Sequence, residues 1–358
     1  MTVSRALRGI GRLRPETRER IRKLAVEMNY QAIRGLVIPP PVRRGKADHT
    51  LRLLVPTIFR RMSQEGGEWF LESLMKGLRD RLALSNGVVL EAHFQSVDEV
   101  IEVWKRDRYH GVVLRQPVPR PWIDRLKAVG PVVLVFGVDF HYGVDNVYEN
   151  EQRAASDIHN RLTGLGHRRI AWLGILDLHE PHRKMTEDPD DPGPGMNQDM
   201  SVQSVRYSAW ARLAVCQPKA HRMPLVLVER DWRRQGLEEV VQKGLDEILS
   251  DENHPTAIVC SCDAVARSVI RNLQNRRYRV PEDFSVVTYG MEPGPNDPGL
   301  PLSGMAMPME TMGRMVPELI ERRLADPHAP AISMQFEATW CEGGTVGPAR
   351  LAEADWRK

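Results

Sequence analysis

Near the start of the chain, Ser4, Arg5 and Arg8 fall on one face of a short helical stretch whose other face carries Val3, Ala6 and Leu7. A polar face of this kind, built on arginines that present a fork of donors, suits phosphates and base edges. The charge distribution points the same way. The first 46 residues hold 12 Lys and Arg against 3 acids, a net +9, and the remainder holds 38 against 44, a net −6. A basic arm on a mildly acidic body asks for a polyanion, most simply nucleic acid; the alternative is a solvated basic tail.

Other chemistry-bearing groups are sparse. Cys260 and Cys262 stand one residue apart in TAIVCSCDAVA, whereas zinc asks for a CxxC-type spacing and a second pair, so these thiols are expected to pack a core. His179 and His182 in HEPH lack the i, i+4 spacing of a zinc helix. No metal or other cofactor is expected. No nucleophile, base and oxyanion-donor set appears at a recognisable spacing, so the chain reads as a non-enzyme.

The elements that must position these groups follow from periodicity. Pro15 to Met28 reads as a helix with Ile21, Leu24, Ala25 and Met28 at i, i+3, i+4, i+7, separated from the first by a turn holding Gly9 and Gly11. Two helices so joined form the second half of a helix-turn-helix. PPPVRRGKA then breaks regular structure and marks a linker over 39–49. From residue 50 the text alternates strands (LRLLVP, GVVLEAHF, HGVVLR, PVVLVFG) with helices, including one that begins at a serine cap in SVDEVIEVWKRD. The alternation restarts after 151 with RRIAWLGI, MPLVLVE, TAIVCSC and FSVVTYG. The fold class expected is α/β, two doubly wound parallel-sheet lobes in tandem. The proline-rich acidic stretch 177–200 between them reads as a surface loop. No apolar run has the length of a membrane span and no signal peptide is evident, so the expected location is the cytoplasm.

These residues resemble the LacI family of transcriptional regulators. TVSRALRGIGRLRPETRERIRKLAVEMNY is similar to the closing part of that family's helix-turn-helix. LTGLGHRRIAWLG, PTAIVCSCDAVARSVIRNL, RVPEDFSVVTYG and PLSGMAMPMETMG, in this order, are similar to its effector core of the periplasmic-binding-protein type. The resemblance implies that Thr2, Ser4, Arg5 and Arg8 contact operator DNA, and that a small effector, a carbohydrate by preference, binds between the lobes of a homodimer. It further implies effector contacts from Trp69, Phe70, Arg206 and Asp263. Each has a plain alternative: Asp263 as a helix cap, Arg206 as a surface charge, Trp69 and Phe70 as core.

Three departures qualify the expectation. The family's reader begins one helix and turn earlier, so 1–38 reads as a partial helix-turn-helix, and a start placed too far downstream is the expected cause. Tyr30 is followed by QAIRGLVIPPP, where Gly35 and the prolines at 39–41 disfavour the hinge helix and leave Leu36 a poor wedge. Tyr289 and Gly290 stand where the family has an acidic run. A protein that senses an effector but has lost specific DNA binding therefore stays open as the alternative. The expected layout is a first lobe of 50–158 with 290–325, a second of 159–289 with 326–346, and a tail of 347–358.

Overall fold

The computed structural model describes residues 50–57, 68–115, 118, 120–136, 143–177, 202–222, 225–230, 236–250, 253–291 and 300–350. The expected reader, hinge and linker of 1–49, and all but the first residue of the loop 177–200, lie outside them. His49–Lys358 forms one compact unit, and it is this unit that carries the site.

The first lobe is a six-stranded sheet of β1 (Arg52–Thr57), β2 (Val88–His93), β3 (Gly111–Leu114), β4 (Val132–Val135), β5 (Asp145–Glu149) and β11 (Ser333–Phe336). Its order is β11-β5-β4-β3-β1-β2, parallel throughout. The second lobe contains β6 (Ile170–Asp177), β7 (Leu225–Arg230), β8 (Ala257–Cys260), β9 (Ser285–Met291), β10 (Ser303–Ala306) and β12 (Thr339–Cys341), ordered β12-β10-β9-β8-β6-β7. Only β12 runs antiparallel there. GVVL in β3 and VVLV in β4 are buried at every position, which is why these strands are continuous apolar runs rather than alternating ones.

Helices cover both faces of each sheet. In the first lobe α1 (Glu68–Ala83) lies on one face, and α2 (Val97–Arg106) and α3 (Arg120–Lys127) on the other. In the second, α4 (Glu151–Gly164) and α5 (Val202–Cys216) lie opposite α6 (Leu237–Ile248) and α7 (Asp263–Asn275). The expected serine cap is present: Ser96 accepts from the Glu99 amide at 3.3 Å, and the Glu99 carboxylate accepts from the Gln95 amide at 2.8 Å.

After β10 the chain returns to the first lobe as α8 (Met309–Ala325), which packs along α1. This seam is backbone against backbone. A Cβ at Gly77 would stand 2.0 Å from the Glu310 carbonyl oxygen, and one at Gly313 would stand 2.0 Å from that of Leu74. Asp145, buried at the start of β5, is clasped by Arg322 and Arg323 at the end of α8 and by the Ile332 amide leading into β11. One carboxylate thus fixes three segments.

The chain crosses between lobes after β5, after β10 and after β11. These crossings shift the expected division by an element each time. Ala154, Ala155, Ile158 and Leu162 bury α4 against the second lobe, so the first crossing is at Asn150 rather than after 158. β9 and β10 both belong to the second sheet, and the first lobe regains the chain only at α8 and keeps it through β11. Residues 347 and 349 are not free tail: Gly347 O accepts from Ser285 Oγ at 3.1 Å, and the Ala349 amide donates to Leu165 O at 2.9 Å. Two crossing strands are tied together, since the Asn150 amide donates to Phe336 O at 2.7 Å. Among the described residues, no helix is long and apolar enough to cross a membrane.

Candidate functional site

In an open parallel sheet the carboxyl ends of the strands leave backbone groups and helix N-termini facing a crevice, and polar side chains gather there. Here the ends of both sheets contribute to one buried polar cluster. Glu149 closes β5 of the first lobe, and Glu151 opens α4 after the first crossing. Arg206 on α5, Ser261 after β8 and Tyr289 in β9 come from the second. Glu149 and Glu151 are 2% and 3% exposed and Arg206 is 7% exposed.

Arg206 is the centre of the cluster. Its Nε donates to Glu151 Oε1 at 3.0 Å and its Nη1 to the Ser261 carbonyl at 2.8 Å. Its guanidinium carbon lies 5.6 Å from the Tyr289 ring centroid. The Tyr289 hydroxyl donates to the Glu151 carbonyl at 2.6 Å, tying β9 to the start of α4. The Tyr289 ring meets Trp172 edge-on at 5.5 Å, and Trp172 stacks on Trp210 at 6.3 Å. An aromatic wall of this kind excludes water and strengthens every charge interaction behind it.

Two carboxylates and one guanidinium do not balance. Burial, reinforced by Glu151, pushes the Glu149 carboxyl up to about 8 against the attraction of Arg206. Burial also raises Glu151, outweighing the Arg206 ion pair. Burial opposes the charge on Arg206, but Glu151 and Glu149 overcome it and hold the guanidinium protonated. The hydrogen bonding is also incomplete: Glu149 Oε2, Glu151 Oε2 and Ser261 Oγ are buried without a partner, as is Trp172 Nε1. Each such atom costs about 1–3 kcal/mol until something satisfies it. The cluster thus holds three buried oxygens and one buried N–H without a partner in the chain.

Strand ends of the first lobe add a second polar element and an aromatic one. Arg115 follows β3 and donates to Thr57 Oγ1 at 2.7 Å and to Glu91 Oε2 at 3.2 Å, with burial lowering its pKa. Phe136 follows β4 with φ at 64°, a left-handed conformation that a bulky side chain adopts only where its surroundings force it, and meets Phe70 edge-on at 5.6 Å.

The structure places the residues singled out in the sequence unevenly. Arg206 is buried in the cluster and is not a surface charge. Asp263 begins α7, two residues beyond Ser261, and its Oδ1 accepts from the Ala264 amide at 2.8 Å. Phe70 stands in the first lobe beside Phe136, packed against the core. Trp69 lies in α1, with its side chain outside the described residues, and Thr2, Ser4, Arg5 and Arg8 lie wholly outside them. Glu149, Glu151 and Ser261 were not singled out; the signal was two acids in NVYENEQR at the junction of a strand and a helix. Cys260 is fully buried, and burial raises both its thiol and that of Cys262.

Comparison with known proteins agrees with this architecture. A periplasmic binding protein-like domain matches over residues 159–346. Catabolite control protein A of Priestia megaterium is 23% identical over 297 residues, which cover 80% of this chain and 77% of that protein. The lac repressor dimer bound to operator and the anti-inducer ONPF superposes with a TM-score of 0.63 at 16% identity, over 96% of this chain and 94% of the other. The complex of the transcriptional regulator CelR with cellobiose gives 0.59 at 19% identity, over 96% and 95%. At those identities the two solved structures speak for the fold alone. Together with the two-lobed topology, these likenesses establish that the chain belongs to the periplasmic binding protein-like domain family, as a LacI-type regulator.

Proposed function

We propose that this protein regulates transcription in the cytoplasm, binding operator DNA as a homodimer and responding to a small, sugar-like effector held between its lobes. The observation that carries the reading is the buried cluster of Glu149, Glu151, Arg206 and Ser261, which joins both sheets and leaves acceptor atoms unsatisfied. A ligand that donates to both lobes stabilises one relative arrangement of them, and in a dimer that bias reaches whatever each N-terminal segment holds. The cellobiose bound by CelR and the operator bound by the lac repressor are consistent with it.

For DNA contact the reading relies on the basic N-terminal segment, with Thr2, Ser4, Arg5 and Arg8 on phosphates and base edges. For dimerisation it relies on the edge strand β2, where Val88 and Leu90, with the nearby Leu84, are 48%, 38% and 80% exposed. An apolar sheet edge of this kind calls for a cover. For effector contact the reading relies on Arg206, buried in the cluster, with Trp69, Phe70 and Asp263 as the further candidates.

The test is a mobility shift of promoter fragments over a salt series, with wild type and Arg5→Ala. The expected result is one preferred fragment, a preference lost in Arg5→Ala, and release or tightening on adding a sugar that raises the melting temperature. If all fragments bind equally at every salt concentration, operator recognition by this chain is wrong. The prolines at 39–41, which disfavour a hinge helix, favour the second reading in that event, an effector-sensing protein without sequence-specific DNA binding.

A further inference from the structure

The effector cluster has a property that a site for a neutral sugar does not require. Arg206 uses two of its five donors within the fold, Nε on Glu151 and one Nη1 hydrogen on the Ser261 carbonyl, so that its charge is paired with Glu151 before any ligand arrives. Within the cluster the unpartnered side-chain oxygens are Glu149 Oε2, Glu151 Oε2 and Ser261 Oγ, two of them carboxylate oxygens, beside one unpartnered donor, Trp172 Nε1. With both carboxylates ionised, a buried basin holds two negative charges against one positive. From these we infer that the effector carries a protonated amine, an amino sugar being the simplest form, whose ammonium group sits between Glu149 and Glu151. The inference rests on the reading of this cluster as the effector site.

An ammonium group presents three donors and one positive charge, which matches the orphaned oxygens in number and brings the basin to neutrality. A hydroxyl offers one donor and leaves the charge as it was. Without ligand, the basin reaches neutrality by another route, by keeping a proton on Glu149, whose carboxyl burial and Glu151 push up to about 8. The groups facing it are Glu151 from α4, Arg206 from α5, and, around these two, Cys262 at the start of α7 and Tyr289 from β9. The last two are thiol and phenol held protonated by burial. The exchange balances: the ligand arrives as R–NH3+, Glu149 gives up its carboxyl proton, and that proton leaves to solvent as the ion pair forms. Binding of an amine at neutral pH therefore releases a proton, and binding of a neutral sugar does not.

The experiment uses the full chain and three sets of probes: the hexosamines D-glucosamine, D-galactosamine and D-mannosamine, their N-acetyl forms, and the parent hexoses. Thermal shift ranks them, and titration calorimetry at pH 7 in two buffers of different ionisation enthalpy counts protons. The expected result is that at least one free amine stabilises more than its N-acetyl and hydroxyl counterparts, with a buffer-dependent heat that reports proton release. Glu149→Gln should weaken that amine by about tenfold or more while changing a neutral hexose by less than about threefold. Because proton counting uses the wild type, it stands even if the variant misfolds. A hexose that binds as well as its amine, with no proton released, overturns the amine and leaves the sugar-like cleft in place. If no member of any set shifts the melting temperature, the amine and the sugar-like cleft fall together.

Discussion

Replacing Glu149 with glutamine should stabilise the protein, and by an amount that depends on pH in a defined way. Burial and the neighbouring Glu151 carry this carboxyl from an ordinary value of 4.5 to about 8 in the fold. An acid raised on folding is bound to its proton in the native state where the unfolded chain has already lost it. Its ionisation is therefore a cost that is absent below about pH 4.5 and grows as pH rises toward 8. The slope is about 1.4 kcal/mol per pH unit, so by pH 7 the wild type has given up about 3 kcal/mol at this one position. Glutamine has the same shape, keeps a carbonyl for the backbone contact, and has no proton to lose. The variant should match the wild type near pH 4.5, exceed it by about 3 kcal/mol at pH 7, and level off above pH 8. Denaturant unfolding at pH 5, 6, 7 and 8 measures the difference directly, provided the m-value is unchanged. A difference that is flat with pH would mean that Glu149 ionises as in the unfolded chain, and one that favours the wild type increasingly as pH rises would mean that its carboxylate is stabilised by the fold; either refutes the burial argument. The gain in stability should come with the loss of effector binding described above, as is common where a strained polar site is relaxed.

Other outcomes follow from contacts elsewhere. Asp145→Ala strips the partner from Arg322, Arg323 and the Ile332 amide and should cost about 3 kcal/mol in chemical denaturation, a buried carboxylate with two guanidinium partners being lost at once. Gly77→Ala puts a methyl into the Glu310 carbonyl at 2.0 Å and should lower stability by about 3 kcal/mol, visible as a drop in the thermal melt; an unchanged melt would show that α1 and α8 can part freely. His167, buried between Thr256 Oγ1 at 2.8 Å and Gly347 O at 3.0 Å, has its pKa lowered from 6.5 by burial. Its contribution is complete above about pH 6.5 and is lost as pH falls below it, so His167→Gln should flatten the stability curve on the acid side of about pH 6.5.

The eight strands that are apolar runs were legible, as in GVVL and VVLV, because parallel strands buried on both faces are unbroken, and local devices such as the Ser96 cap act over a few residues; β5, β10, β11 and β12, which are short and mixed in composition, were not read as strands. The lobe boundaries were not. Nothing local in the β9 and β10 segments says which sheet each joins, since that is decided by pairing across the chain, as when β10 adds to β9 and then to β12. The site was half legible. Arg206 emerged through resemblance, but its partners did not, since Glu151 and Ser261 each lie 55 residues from it in sequence and meet it only once the second lobe has folded. A pair of acids at a strand-to-helix junction reads as a solvated cap until burial is known. Asp263, singled out with Arg206, stands at the first position of α7, where its Oδ1 accepts from the Ala264 amide at 2.8 Å.

The seam between α1 and α8 has a consequence for synthesis. Lys76 and Glu310, which bridge it at 2.6 Å, are 234 residues apart. At ribosomal rates the N-terminal helix waits on the order of 10–50 s for its partner. Over that interval the face of α1 at Gly77, which takes the Glu310 backbone in the finished fold, stands without its partner. The first lobe to emerge is thus among the last to close, and a chain cut short before Met309 would lack the helix that packs along α1.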